Sequence, residues 1–225
     1  LKVYEACRSC DSVKSIVTIT TDKVYQNNEW LWGYRENDRL GGKDPYSSSK
    51  AAMEILTESY IHSYFHPDNF EDHNMLVATA RAGNVIGGGD WAVDRLIPDI
   101  VKASLKKTPV EIRSPHSTRP WQHVLEPLSG YLLLGQKLLE RDKKFAQAFN
   151  FGPPLSEDLS VQDVVEIMKE HWNVIDYVIK APKEKLHEAT LLKLDCTKAL
   201  TLLDWKSAID AKESLSMTID WYKAF

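Results

Sequence analysis

Cysteine is scarce. Three residues, Cys7, Cys10 and Cys196, occur in 225, an odd number too small for a disulfide scaffold, which fits a reducing cytoplasm. Cys7 and Cys10 have C-x-x-C spacing, but no second pair accompanies them for zinc, and they do not open a helix as a redox pair does. Long apolar runs are missing as well: the stretch from Tyr131 to Leu134 is the longest candidate, and Gly135 and Gln136 end it far short of the roughly 18 residues of a membrane span. No block of like charge occurs, and a net charge of −4 with a pI near 6.0 supplies no positive field to recruit nucleic acid. His62 and His66 form an i,i+4 pair with His73 nearby. No Glu follows His62 as in a zinc-protease helix, so these read as solvated helix-end histidines and no metal site is expected. The chain also has no Gly-Lys-Ser/Thr phosphate loop and no helix-opening G-x-G-x-x-G. It starts at Leu1 without an initiator Met, an N-cap or a signal peptide, on what reads as the closing turns of a helix. The expectation is that the first part of a longer protein is missing.

What is present suffices for a sizeable core: 225 residues with 43% hydrophobic content suit one or two domains. Strand-like and helical segments alternate, predicting α/β architecture with a parallel sheet. Ser15 to Thr20 and about Met75 to Ala80 read as buried strands. Between them Met53, Leu56, Tyr60 and Tyr64 predict a helix with an apolar stripe, broken at Pro67-Asp68-Asn69. Ile97, Ile100, Val101 and Leu105 mark a second helix, and Leu128, Leu132 and Leu139 a third. Ser160 reads as the N-cap of a helix through Val161, Val164, Val165, Met168 and Trp172, with Asp163 completing a capping box. Val174 to Ile179 predicts a strand, Asp195 onward a short helix, and Leu215, Ile219 and Tyr222 stripe a final one.

Chemistry concentrates at the predicted strand ends, where open parallel sheets bind ligands. Thr20-Thr21-Asp22-Lys23 ends the first strand. Tyr46-Ser-Ser-Ser-Lys50 follows, and Tyr and Lys at i and i+4 share a helix face, so the ammonium favours the phenolate and makes a proton acceptor for a sugar hydroxyl. Arg81-Ala-Gly-Asn84-Val-Ile-Gly-Gly-Gly-Asp-Trp91 ends the second strand. Taken singly, the first motif is also ordinary turn chemistry and the last an ordinary glycine-rich turn.

Together and in this order, with Thr-Asp-Lys-Val-Tyr25, Asp44-Pro-Tyr-Ser47, Arg119-Pro-Trp-Gln-His-Val-Leu-Glu and Asn150-Phe-Gly-Pro153, the sequence resembles the extended short-chain dehydrogenase/reductase family, and within it the CDP-glucose 4,6-dehydratases. The resemblance runs over essentially the whole chain. It implies the second part of a Rossmann-like doubly wound parallel sheet plus a smaller mixed α/β substrate-binding domain. Residues 1–92 would carry the catalytic part of the NAD-binding domain and residues 93–225 mainly the nucleotide-sugar domain, with about 120–150 returning to the sheet. The family's glycine-rich NAD turn would lie before Leu1, so these residues alone are expected to bind NAD feebly.

The resemblance further implies NAD-dependent dehydration of CDP-glucose to a 4-keto-6-deoxy sugar. Tyr46 and Lys50 would take the C4 hydroxyl proton, Thr21 would hold that hydroxyl, and Asp22 would be the acid of the elimination. Lys23 stands where dTDP-glucose enzymes carry Glu and is either the C5 base or an electrostatic support for an enolate. Tyr46, Lys50 and Thr20 would meet the cofactor; Asn84, Arg95, Arg119 and His187 would meet the nucleotide sugar, guanidinium forks suiting phosphate oxygens. Trp30, Trp32, Trp91 and Trp121 are either pocket walls or core. The family also implies a homodimer or larger assembly. Two other readings stay open: a non-catalytic nucleotide-sugar-binding remnant, and an epimerase or decarboxylase of another nucleotide sugar on the same fold.

Overall fold

The structure is a computed structural model that describes residues 1–155, 159–180 and 192–225. Its helices are α1 (Lys2–Arg8), α2 (Pro45–Tyr64), α3 (Phe70–His73), α4 (Leu96–Leu105), α5 (Leu125–Leu139), α6 (Val161–His171), α7 (Thr197–Leu203) and α8 (Ala211–Ala224). Its strands are β1 (Ser15–Ile19), β2 (Leu76–Ala82), β3 (Val85–Ile86), β4 (Val110–Ile112), β5 (Thr118–Arg119), β6 (Gln122–His123), β7 (Ala148–Phe151), β8 (Leu159–Ser160) and β9 (Tyr177–Ile179).

The principal sheet has the order β1-β2-β7, all parallel, with Ser15 opposite Leu76 and Thr79 opposite Ala148. Strand β2 is buried at every position, because helices cover both faces of the sheet. Alternation sorts its side chains. Leu76, Ala78 and Ala80 join Leu134 and Leu138 of α5 and Phe149 and Phe151 of β7 in one apolar cluster. On the opposite face Val77 packs with Tyr60 of α2 and Tyr4 of α1, and Thr79 and Arg81 meet Glu54 of α2. A second apolar cluster, built from Ile97, Ile100, Val164, Met168, Leu215 and Ile219 among others, joins α4, α6 and α8. Short two-stranded ladders stitch the rest together: β3 with β6 over two residues and β4 with β9 over three, both parallel, and β5 with β8 over two, antiparallel.

The α/β class and the parallel sheet agree with the sequence, and the Ser160–Asp163 capping box forms at the start of α6. Two stripes differ. On α2 the buried positions are Ser47, Ala51, Glu54, Thr57 and Tyr60, while Tyr64 is exposed, since Glu54 and Thr57 are buried with hydrogen-bond partners of their own. On α5 the buried positions are Glu126, Pro127, Gly130, Leu134 and Leu138, and Leu128, Leu132 and Leu139 point outward. Glu126 goes inward because its carboxylate accepts the backbone N–H groups of Ala208 and Ile209 at 3.0 and 2.9 Å. Among the described residues no helix is long and apolar enough to cross a membrane.

Candidate active site

Strand β1 delivers four residues to its carboxyl end. The N–H of Thr20 continues the ladder to Ala80 O at 2.9 Å, and its hydroxyl donates to Glu54 Oε1. Thr21 is extended and caps a 3-10 turn over Asp22–Val24, accepting from the N–H of Lys23 at 3.4 Å. The Thr21 hydroxyl donates to Asp22 Oδ1 at 2.9 Å. Asp22 is 3% exposed, and burial pushes its carboxyl up to about 6, opposed by the Thr21 hydroxyl and by the charges of Lys23 and Arg119. Gly83 lies directly over this carboxylate: a Cβ there would stand 3.3 Å from Asp22 Oδ2 and 2.9 Å from Pro120 Cγ. A glycine after β2 is what allows the chain to cross so close to Asp22.

Helix α2 brings the second group. Asp44 is its N-cap, accepting the Ser47 N–H at 3.0 Å and the Ser47 hydroxyl at 2.5 Å, and Pro45 opens the first turn. Those contacts hold the Asp44 carboxyl below its usual range. Tyr46 therefore sits in the first turn and is half exposed. Lys50, one turn on, directs its Nζ to Ile19 O at 3.4 Å, at the end of β1. Lys23 is exposed, with its Nζ 6.0 Å from the Tyr46 ring centroid. The structure thus gathers Thr21, Asp22, Lys23, Tyr46 and Lys50 at one edge of the sheet.

Beneath them lies a polar network that the sequence reading did not single out. Arg81, in the middle of the principal sheet, donates to Glu54 from Nε at 2.9 Å and from Nη2 at 3.0 Å. Its Nη1 donates to Tyr25 Oη at 2.8 Å, and that phenol donates to Asn150 Oδ1 at 2.7 Å. The backbone N–H of Asn150 donates to Glu36, whose carboxyl burial pushes upward. The signal was present: an acid one turn beyond Lys50 on α2, and an arginine inside an otherwise apolar strand, must find each other if both are buried.

The expected substrate residues lie farther along. Asn84 follows β2 and is exposed. Arg95 caps α4, is exposed, and stands 3.9 Å from Asp90. Arg119 on β5 is half-buried, donates from Nη1 to Thr118 O at 2.8 Å, and acts on Asp22 through its charge. The loop between Asn84 and Arg95 is gripped by α8: Tyr222 donates to Asp90 O at 2.6 Å, and Trp221 lies flat against Gly88. His187 lies outside the described residues. Trp121 is core, Trp30 packs on Tyr34 and Trp32, and Trp32 and Trp91 are exposed. Cys7, Cys10 and Cys196 are free thiols.

Known proteins resemble this chain. The family model described as GDP-mannose 4,6 dehydratase matches residues 1–218. CDP-glucose 4,6-dehydratase of Salmonella typhimurium is 45% identical over 223 residues, covering 99% of this chain and 62% of that protein. dTDP-glucose 4,6-dehydratase of Streptomyces antibioticus is 26% identical over 94% of this chain and 58% of its own length. The chain thus spans about three fifths of the length of these curated relatives. Among solved structures, dTDP-glucose 4,6-dehydratase of Bacillus anthracis in complex with NAD matches with a TM-score of 0.78 at 21% identity, over 99% of this chain and 65% of that one. An epimerase of Methanothermobacter thermautotrophicus reaches a TM-score of 0.82 at 21% identity, over 99% of this chain and 63% of its own. At such identities the structural likeness speaks for the fold alone. The matched residues, which carry the β1 end, the α2 tyrosine and lysine and the β2 end alike, establish that the chain belongs to the GDP-mannose 4,6 dehydratase family.

Proposed function

We propose that this chain carries the chemical centre of an NAD-dependent CDP-glucose 4,6-dehydratase, which converts CDP-D-glucose to CDP-4-dehydro-6-deoxy-D-glucose and water. The observation that carries the reading is Asp22: a buried carboxyl, bonded to Thr21 and pushed up to about 6, beside the half-exposed phenol and the ammonium of α2. An elimination across C5 and C6 needs an acid, and a carboxyl raised toward neutral pH keeps its proton in a larger share of molecules than an ordinary one; epimerisation at C4 needs no such acid. The 45% identity to the Salmonella enzyme supports the CDP sugar.

Tyr46 accepts the C4 hydroxyl proton, Lys50 stabilises the charge that forms on the phenol, and Thr21 orients the same hydroxyl. The resulting C4 ketone acidifies C5. Asp22 then gives its proton to the departing C6 hydroxyl. Lys23, exposed beside Tyr46, either takes the C5 proton as an amine kept neutral by a cationic neighbour such as Lys50 or NAD, or stays an ammonium that supports the enolate while solvent takes that proton. The donor set of Tyr46 and Lys50, open at the carboxyl end of β1, fits the ribose side of a nicotinamide cofactor. When bound, NAD supplies the hydride acceptor and donor for C4 and C6. Arg95 and Arg119 supply guanidinium partners for the diphosphate in a chain whose net charge is −4, and Asn84 a sugar-phosphate contact. His187 belongs to the same reading through the resemblance alone.

A division of labour belongs to the same reading: residues 1–92 carry the redox half and 93–225 mainly the nucleotide-sugar half, with about 120–150 returning to the Rossmann part, a return supported by Leu134, Leu138, Phe149 and Phe151 in the apolar cluster of the principal sheet. Association into a homodimer or larger oligomer is part of the reading, supported by Ile55 and Tyr64 on the outward face of α2. The test is to incubate the complete gene product with CDP-glucose and NAD and record the alkaline absorbance of a 4-keto sugar. A C4 epimer without keto sugar would replace dehydration by epimerisation. Binding of CDP-glucose without any turnover would leave the binding-remnant reading.

A further inference from the structure

Tyr46, Lys50 and Glu54 occupy i, i+4 and i+8 on α2 and so form one row along the helix. The first two are open to the candidate site. The third turns into the protein, its side chain 3% exposed against an equally buried Arg81 side chain at 5%. Glu54 accepts four donors from two strands. Oε1 takes the hydroxyl of Thr20 at the end of β1 and Arg81 Nε at 2.9 Å; Oε2 takes the Thr79 hydroxyl at 2.7 Å and Arg81 Nη2 at 3.0 Å. The remaining guanidinium nitrogen is anchored by Tyr25 Oη at 2.8 Å and Glu36 O at 2.9 Å.

A buried carboxylate with all four bonds directional tolerates one placement. A slide or rotation of α2 would strand a charge and several donors away from water. The other inward side chains of α2 in this region, Ser47 and Ala51, are small and grip weakly. We propose that Thr20, Glu54 and Arg81 form a positioning device that fixes α2 against β1 and β2, and thereby sets Tyr46 and Lys50 against Thr21 and Asp22. Thr20 then acts through Glu54 and not as a cofactor contact. The catalytic consequence rests on the dehydratase reading; the structural one does not.

Glu54→Gln leaves the Arg81 charge uncompensated and can cost the fold, so Thr20→Val, which removes one donor, is the main variant, with Thr20→Ser as its control. In the complete gene product, Thr20→Val is expected to lower kcat for keto-sugar formation by about 10- to 100-fold, the scale of a small misplacement of reacting groups. The KM for CDP-glucose and the Kd for NAD stay unchanged, and Thr20→Ser restores kcat. Weaker NAD binding with unchanged kcat at saturating NAD would make Thr20 a cofactor contact and overturn the proposal, as would wild-type turnover in Thr20→Val. A second readout needs no turnover. In protein labelled with 3-fluorotyrosine, the Tyr46 fluorine resonance, identified by its loss in Tyr46→Phe, is expected to move in Thr20→Val and return in Thr20→Ser. An unmoved resonance overturns the positioning role. A wild-type protein that makes no keto sugar sinks the dehydratase reading and leaves the fluorine result to decide this one.

Discussion

Thr21 donates its hydroxyl proton to Oδ1 of Asp22, the residue next to it, at 2.9 Å, and this is one of few polar contacts for a carboxyl shut off from water. Burial outweighs it, and the carboxyl is pushed from 3.8 up to about 6. A folded-state value above the unfolded one means that ionisation opposes folding. The stability gained from neutral Asp22 is complete below about 4 and is lost as pH rises through about 6. Asp22→Asn, which keeps an oxygen for Thr21 to donate to, is therefore expected to match the wild type near pH 4. At pH 7.5 it should be more stable by up to about 3 kcal/mol. Urea melts at the two pH values check this, and equal gains at both would contradict it. In the complete enzyme the same variant removes the proposed acid, so stability and turnover move in opposite directions.

Tyr46 is half exposed in the first turn of α2 and belongs to none of the four apolar clusters of the described residues. Tyr46→Phe is expected to leave the thermal midpoint unchanged and to lower turnover of the complete enzyme by about 10²- to 10⁴-fold, the usual worth of a positioned proton acceptor. Steady-state kinetics beside a thermal melt separate the two. A variant that keeps full turnover removes Tyr46 from the base role.

Arg81 and Glu54 form a buried pair at 2.9 Å, and breaking such a pair from one side costs more than removing both partners. Arg81→Met leaves the Glu54 carboxylate with two hydroxyl donors and is expected to lose about 3–5 kcal/mol of stability. Arg81→Met with Glu54→Leu should recover most of that loss, because no buried charge is left alone. Denaturant midpoints for the two single variants and the double variant form the cycle. If the double variant is as unstable as the sum of the singles, the pair is not coupled as described.

These side chains also mark where the sequence was readable and where it was not. The β1 and β2 strands and the α6 capping box were legible because a β-branched run, a short apolar run and a Ser-x-x-Asp spacing act locally. The motif residues at the strand ends were legible because their chemistry is tied to their order. The inner faces of α2 and α5 were not. Apolar periodicity assumes that hydrophobic residues turn inward, whereas Glu54, Thr57 and Glu126 go in because partners far along the chain, Arg81, Tyr4, Ala208 and Ile209, satisfy them. Two-residue strands such as β3, β5, β6 and β8 carry no period at all, since pairing depends on what the fold brings alongside.

Gly88 lies between Asn84 and Arg95 under the ring of Trp221, where a Cβ would stand 2.1 Å from Cγ and 2.2 Å from Cδ2. The ring has little room to retreat, being stacked on Phe225 at 5.3 Å while the neighbouring Tyr222 holds Asp90 O at 2.6 Å. Adding one methyl group therefore forces either the loop or the end of α8 to move. Gly88→Ala is expected to cost about 1–3 kcal/mol by overpacking. It should also raise the KM for CDP-glucose in the complete enzyme with little change in kcat, because the loop leads to Arg95 and not to Tyr46. Trp221→Gly opens the space that the methyl needs, because Trp221 Cβ would itself stand 2.7 Å from it and alanine would keep that atom. In that background the further loss from Gly88→Ala should largely vanish, since the two substitutions act on one contact. Additive losses in stability would show that the glycine is required for its backbone and not for the close approach of the indole.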